Sequence, residues 1–414
     1  MIRRQLWSLA ALVPVVVLMS ALSVPLSGQR GGGAPPVLPD GPGKAIVEMN
    51  CTRCHALNMI VNDGYSRQEW QTVFNTMVDL PKDEAAVLAD YLAKNYPERP
   101  KPPAVILAGP ARVSFKEWPL PTKGSRPHDP LATPDGALWY TGMFANKLGR
   151  VDTRAGTIKE YPVPADSGPH GLVADTDGNI WYTANQGGYI GKLDPKTGDV
   201  KQYKLPSDVR DPHTPIFDQK GILWFTAQGA NKLGRLDPRT GDIKIVTAPT
   251  ARSNPYGMVV SSKGVPFFDL FGTNKIGSID PTTMAITEYP LPNPDARPRR
   301  IAKTSDDIIW YTDYGRGFLG RLDPTSGQVK EWASPGGSRS LPYGIAVIDD
   351  VIWYSESGVK PNTLVRFDPK MEKFQSWTIP GGGGVVRNMM ATRDGNLVLA
   401  ESGLNMVALV TVQK

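Results

Sequence analysis

The stretch "PHGLVADTDGNIWYTANQGGYIGKLDPKTGDVKQYKLP", residues 169–206, holds four short apolar runs divided by turns. An Asp-Gly pair separates the first two runs, and an Asp-Pro-x-Thr-Gly turn separates the last two. Kindred blocks begin at Pro127, Pro212, Pro255, Pro298 and Pro342, with a degenerate seventh near Val386, so the period is 42–44 residues. Four strands per repeat at that period read as the blades of a β-propeller. Trp139, Trp181, Trp224, Phe267, Trp310, Trp353 and Val398 fill one slot of the second strand, the place of blade-to-blade core.

The ends fix the number of blades. The seventh block stops at "MVALVTVQK", after its third strand, while "VSFKEWPLP" (113–121) matches the fourth-strand text "AITEYPLP" (285–292). The N-terminal strand is therefore expected to complete the last blade, which hides the sheet edges and closes a ring of seven.

Upstream of the repeats the chain reads differently. Residues 1–28 place Arg3 and Arg4 before a long uncharged apolar run, which fits a secretory signal peptide cleaved near Gly28 or a retained membrane anchor. Residues 29–43 are a Gly- and Pro-rich leader, 44–97 a helical domain, 98–111 a Pro-rich linker and 112–414 the propeller. Ser66 and Glu69 form a capping box ahead of a helix with Trp70, Val73, Phe74 and Met77 on one face. Val87, Leu88, Tyr91 and Leu92 make a second stripe.

The chain has two cysteines, Cys51 and Cys54, followed directly by His55 in "CTRCH". A disulfide across two residues closes a tiny loop and removes little unfolded-state entropy. A structural zinc site would need four ligands, and the chain has only four histidines. A dithiol redox pair would sit best in a βαβ context, which is absent. Cys-x-x-Cys-His instead suits one covalent haem c, with thioethers from Cys51 and Cys54 and His55 as axial ligand to the iron. Met77, 22 residues after His55, is the expected sixth ligand, with simple packing against the haem edge as the alternative. Three short helices bury little surface unaided. A haem would supply the missing core, and its attachment outside the cytoplasmic membrane implies a periplasmic, secreted or inner-membrane-anchored protein.

The motifs "PHG", "GNIWYT", "NKLGRLDPxTG" and "KEYP" across 112–414 resemble the virginiamycin B (streptogramin) lyase family of seven-bladed propellers. The segment with "CTRCH", "EWQTVFNTMV" and "VLADYLAKNY" resembles small monohaem cytochrome c domains of periplasmic quinohaemoproteins. The expected fold is thus a small all-α cytochrome c domain followed by an all-β propeller. The lyase resemblance implies a metal-assisted ester-opening elimination that uses a glutamate after the W-[YF]-T motif and a histidine two residues further on. Here the first position reads Gly142, Ala184, Ala227, Leu270, Asp313, Glu356 and Glu401. The second reads Phe144, Gln186, Gly229, Gly272, Gly315, Gly358 and Gly403, with no imidazole to act as general acid or base.

The other histidines fall in register. His128, His170 and His213 follow proline in three consecutive blades, and Tyr256, Arg299, Tyr343 and Arg387 continue the slot. Antiparallel pairing puts these residues on the same rim as the second-strand ends. The rim is expected to have a histidine side and an acid–arginine side made by Arg299, Asp313, Glu356, Arg387 and Glu401. These residues are a candidate ligand site; the alternative is that the histidines only bond neighbouring loops. Arg299 and Arg387 are expected to neutralise the acids, so no tight divalent metal is expected at the rim.

The net charge of +6 is dispersed, and its densest run, "RPRR" at 297–300, reads as solvated surface, so nucleic-acid binding is not expected. No PQQ, flavin or nicotinamide motif and no second CxxCH is present. The expected function is electron transfer with a redox partner protein in the cell envelope, with room for oxidation of a small substrate at the propeller face. The alternatives are a virginiamycin B-type lyase opening cyclic depsipeptides and a non-catalytic binding propeller. Membrane contact is expected only through an uncleaved N-terminal segment.

Overall fold

Turns opened by aspartate join the third and fourth strands of blades 1 to 6. Asp152 accepts hydrogen bonds from the N–H groups of Arg154 and Ala155, and Asp194, Asp237, Asp280 and Asp323 repeat the arrangement. In the computed structural model, which describes residues 36–52, 57–61, 64–78 and 80–413, the strands form seven four-stranded antiparallel sheets. The proposed signal or anchor, Cys54 and His55 lie outside the described residues, as does the side chain of Met77.

First strands begin at Pro127, Pro169, Pro212, Pro255, Pro298, Pro342 and Val386, as the repeats predict. The seventh sheet is built from both ends of this region. Arg112–Pro119 pairs antiparallel with Met406–Gln413, Trp118 lying opposite Val407. The expected closure is therefore observed.

The second-strand aromatics Trp139, Trp181, Trp224, Trp310 and Trp353 are buried between blades, where Trp139 stacks on Tyr161 and Trp181 on Tyr203. The next residue explains a repeated glycine. A Cβ on Gly149 would lie 2.0 Å from the Tyr140 ring, and Gly191, Gly234, Gly277 and Gly320 stand in the same relation to Tyr182, Phe225, Phe268 and Tyr311. Each third-strand glycine leaves space for a ring lying across the sheet.

The helical region comprises α1 (Lys44–Ile46), a π-helical turn (Val47–Cys51), α2 (Leu57–Val61), α3 (Arg67–Met77) and α4 (Lys82–Asn95). The capping box at Ser66 and Glu69 is present in both directions. Leu88, Tyr91 and Leu92 are buried, but Val87 is exposed, and Ala89 takes its place inside. No helix among the described residues is long and apolar enough to cross a membrane.

The linker is tied to blade 6. Ala104 N–H donates to the Lys360 carbonyl, Lys360 N–H to that of Pro102, and Ser376 N–H to that of Leu107. The Gln375 amide then donates to the Ala111 carbonyl. The Lys360 ammonium bridges Glu69, in the first turn of α3, and Glu98. α3 also packs on the Ser402–Leu404 turn of blade 7. Both footholds follow second strands, so the helices stand on the face that carries the first-strand starts.

Candidate functional site

Two consecutive residues of each first strand oppose one residue of the second. In blade 1, Pro127 pairs with Gly142 and Pro130 with Tyr140, leaving His128 and Asp129 opposite Thr141 alone. The same bulge recurs in all seven blades. It turns both residues toward the propeller axis.

The first bulge position is the predicted slot, and its side chains meet. The rings of His128 and His170 are 3.6 Å apart, those of His170 and His213 3.8 Å, and those of His213 and Tyr256 3.8 Å. Tyr256 and Tyr343 share a hydroxyl hydrogen bond across the axis. Arg299 is boxed by rings, its guanidinium carbon 3.9 Å from the Tyr343 centroid and 4.2 Å from that of Tyr314, with Phe271 and Tyr256 beyond.

The second bulge position forms a deeper polar layer that the sequence reading did not assign. Arg300, 3 % exposed, donates to Asp129 at 2.8 Å and to Thr214 at 3.3 Å. Asp129 also lies 2.9 Å from His128 Nδ1, and His213 Nδ1 lies 3.0 Å from the Thr214 hydroxyl. The "RPRR" run is therefore not a solvated surface, because the bulge directs Arg299 and Arg300 inward.

Around this layer the second strands lock neighbouring blades together. Thr141, Thr183, Thr226 and Thr312 donate to the carbonyls of His170, His213, Tyr256 and Tyr343 in the next blade. Asp269 takes the threonine place in blade 4. One of its oxygens accepts from Gly257 N–H, the other has no partner, and burial raises its pKa well above the usual carboxylate range.

The predicted acid–arginine pairs do not form. Asp313 is fully buried and pairs with Arg316 at 2.7 Å, while accepting the N–H groups of Arg297 and Gly315. Glu356 accepts from the Ser334 and Thr363 hydroxyls and from Gly336 N–H. Glu401 has neither oxygen partnered, and burial first, then the charge of Glu117, pushes it up to about 8. The physical reason is directional: second-strand ends aim these acids into their own blade, whereas Arg299 and Arg387 come off the bulge toward the axis.

Electrostatics separates the axial groups. Burial drives His128, His170 and His213 well below the usual imidazole range, and nearby arginines or neighbouring imidazoles add to the effect. They are neutral at pH 7. Burial opposes ionisation of Tyr343, but Arg299, Arg387 and Arg300 outweigh it and bring the phenol down to about 8. His128, Asp129 and His170 offer three ligand atoms close enough for a metal ion, though Asp129 is already engaged by Arg300.

A closed ring of seven antiparallel blades around a filled axis is a seven-bladed β-propeller. The chain belongs to the virginiamycin B lyase family, whose model matches residues 109–353 and 268–414. A streptogramin B lyase structure is 27 % identical with a TM-score of 0.67, covering 73 % of this chain and 98 % of that one. A virginiamycin B lyase from Staphylococcus aureus is 25 % identical with a TM-score of 0.66, covering 72 % and 99 %. Hydrazine synthase of Kuenenia stuttgartiensis shares the fold alone, at 14 % identity and a TM-score of 0.59, over 70 % of this chain and 96 % of that one. Comparison with curated proteins gives no match.

Proposed function

We propose that this protein is a c-type cytochrome of the cell envelope whose lyase-like propeller presents a substrate or partner face. On this reading residues 1–28 direct export or anchor the chain, 44–97 hold one haem c, 98–111 are the linker and 112–414 the propeller. A bound haem would supply reversible one-electron transfer.

The observation that carries the reading is the Cys51-x-x-Cys54-His55 sequence, together with an apolar helical cluster that has an orphaned donor. Leu38, Ile46, Val47, Ile60, Val61, Trp70, Phe74, Leu88 and Leu92 are buried together, and Cys51 packs against them. The indole N–H of Trp70 is buried there without an acceptor among the described residues. A buried donor left unpaired costs about 1–3 kcal/mol, and a haem propionate is an acceptor that fits. Cys51 and Cys54 would hold the porphyrin and His55 the iron, with Met77 as sixth ligand. The helices rest on the axial-mouth face of blades 6 and 7, which favours passage of electrons within one chain and onward to an envelope redox partner.

Family membership favours a second reading, a lyase. Against it, no histidine follows the second-strand acids, and both Glu356 oxygens are occupied by Ser334, Gly336 and Thr363. No streptogramin B ring opening is expected by mass spectrometry.

The deciding experiment is expression with c-type maturation, followed by denaturing electrophoresis with haem staining and a pyridine haemochrome spectrum. The stain should persist in the wild type and vanish in the Cys51→Ala/Cys54→Ala double variant. Complete loss of haem from the wild type on acid–organic extraction would overturn the reading.

A further inference from the structure

The axial mouth holds more positive charge than its own residues answer. Four guanidinium groups, Arg126, Arg299, Arg300 and Arg387, gather there. Arg300 is paired with Asp129, and Arg299 is enclosed by four aromatic rings. Arg126 and Arg387 remain, both half-buried, and neither guanidinium has a carboxylate partner among the described residues.

These two arginines meet at the seam between blades 7 and 1. Arg387 fills the axial slot of blade 7, and its Nε is buried without a partner. Arg126 lies two residues before the slot of blade 1, its guanidinium carbon 4.5 Å from the Phe144 centroid. Its backbone N–H donates to the Asn405 side chain of blade 7. His128 lies close enough to feel both charges, with the His170 ring 3.6 Å away and its Nδ1 buried without a partner among the described residues.

Arg126 also sits in the left-handed region, φ +52. The same turn position is left-handed at Gly168, Asp211, Asn254 and Leu341, so the turn before each first-strand proline sets this backbone. Burial, then Arg387 and Arg299, lower the Arg126 pKa to about 9, so it stays charged beside its neighbours at pH 7.

We propose that Arg126 and Arg387, beside His128, form a binding site for a small carboxylate at the axial mouth. Guanidinium forks match a planar carboxylate through paired N–H···O bonds, and the low-dielectric mouth strengthens each bond. Phe144, against the Arg126 guanidinium, supplies an apolar wall for the carbon skeleton. The site deepens the reading of this face as a substrate face and requires nothing of the haem.

Malonate, with malonamide as uncharged control and inorganic phosphate as competing oxyanion, tests the assignment on the full-length protein by calorimetry and thermal unfolding. Malonate should bind and raise the melting temperature, and malonamide should do neither. Arg126→Gln and Arg387→Gln should each weaken malonate at least about tenfold, the loss of one charged hydrogen-bonding group. Their ligand-free melting temperatures should equal or exceed that of the wild type, because each relieves repulsion. No malonate binding by the wild type, undiminished malonate binding in either variant, or tighter binding of phosphate would overturn the assignment. So would a ligand-free melting temperature lowered in both variants, which marks the arginines as structural. The haem stain reads independently, so either proposal can fail without the other.

Discussion

Arg300 and Asp129 stand 171 positions apart in the chain and 2.8 Å apart at the axis, both nearly inaccessible to water. The pair spans the propeller from blade 5 to blade 1, and His128 shares the carboxylate.

Removing one partner should be far worse than removing both. Arg300→Met leaves a buried carboxylate answered only by a neutral imidazole and should cost about 3–5 kcal/mol in urea unfolding. Asp129→Asn with Arg300→Met should recover more than half of that loss. Additive losses in the double variant would show that the two residues act separately.

The three stacked histidines set the acid limit of stability. Their folded pKa values are depressed by burial, so the unfolded chain binds more protons as pH falls below about 6.5. Stability should therefore be complete above that pH and fall below it, with a slope approaching about 4 kcal/mol per pH unit for three groups. His170→Phe keeps the ring stack and removes one proton site, so the slope should shrink by about a third. An unchanged slope would place the acid sensitivity elsewhere.

Glu401 acts in the opposite sense. Its folded pKa is raised to about 8, so the folded state holds a proton that the unfolded state releases above about 4.5. Stability from this group is present at low pH and is lost as pH rises through 8. Glu401→Gln should raise the unfolding free energy at pH 8.5 by up to about 5 kcal/mol and leave it nearly unchanged at pH 4. Equal effects at both pH values would refute a proton held at Glu401.

Blade count, strand starts and ring closure were legible because proline, Asp-Gly and Asp-Pro-x-Thr-Gly recur at fixed offsets. The slot from His128 to Arg387 was legible for the same reason. The deeper layer was not. A bulge adds one residue to a strand without leaving a mark in these sequences, so Asp129 and Thr214 drew no assignment and Arg300 read as part of a solvated run. The acids were placed on the correct rim but given the wrong partners. Register predicts which end of a strand a residue occupies, whereas the turn that follows decides what it touches: Arg316 lies just beyond Asp313. Val87 failed for a local reason: with Leu88, Ala89 and Leu92 turned to the core, Val87 falls at the solvent edge of α4.

The pairing of Arg112–Pro119 with Met406–Gln413 also orders events in time. Six blades can form from neighbouring segments as the chain emerges, but the seventh must wait for its last three strands to meet its first. Such a long-range encounter is slow and comes late. Arg126 and Arg387 belong to the two sides of that join, so an open ring contains neither their repulsion nor their joint site. A small anion present during maturation would ease the final join, and its effect would be seen as faster closure before it was ever seen as turnover.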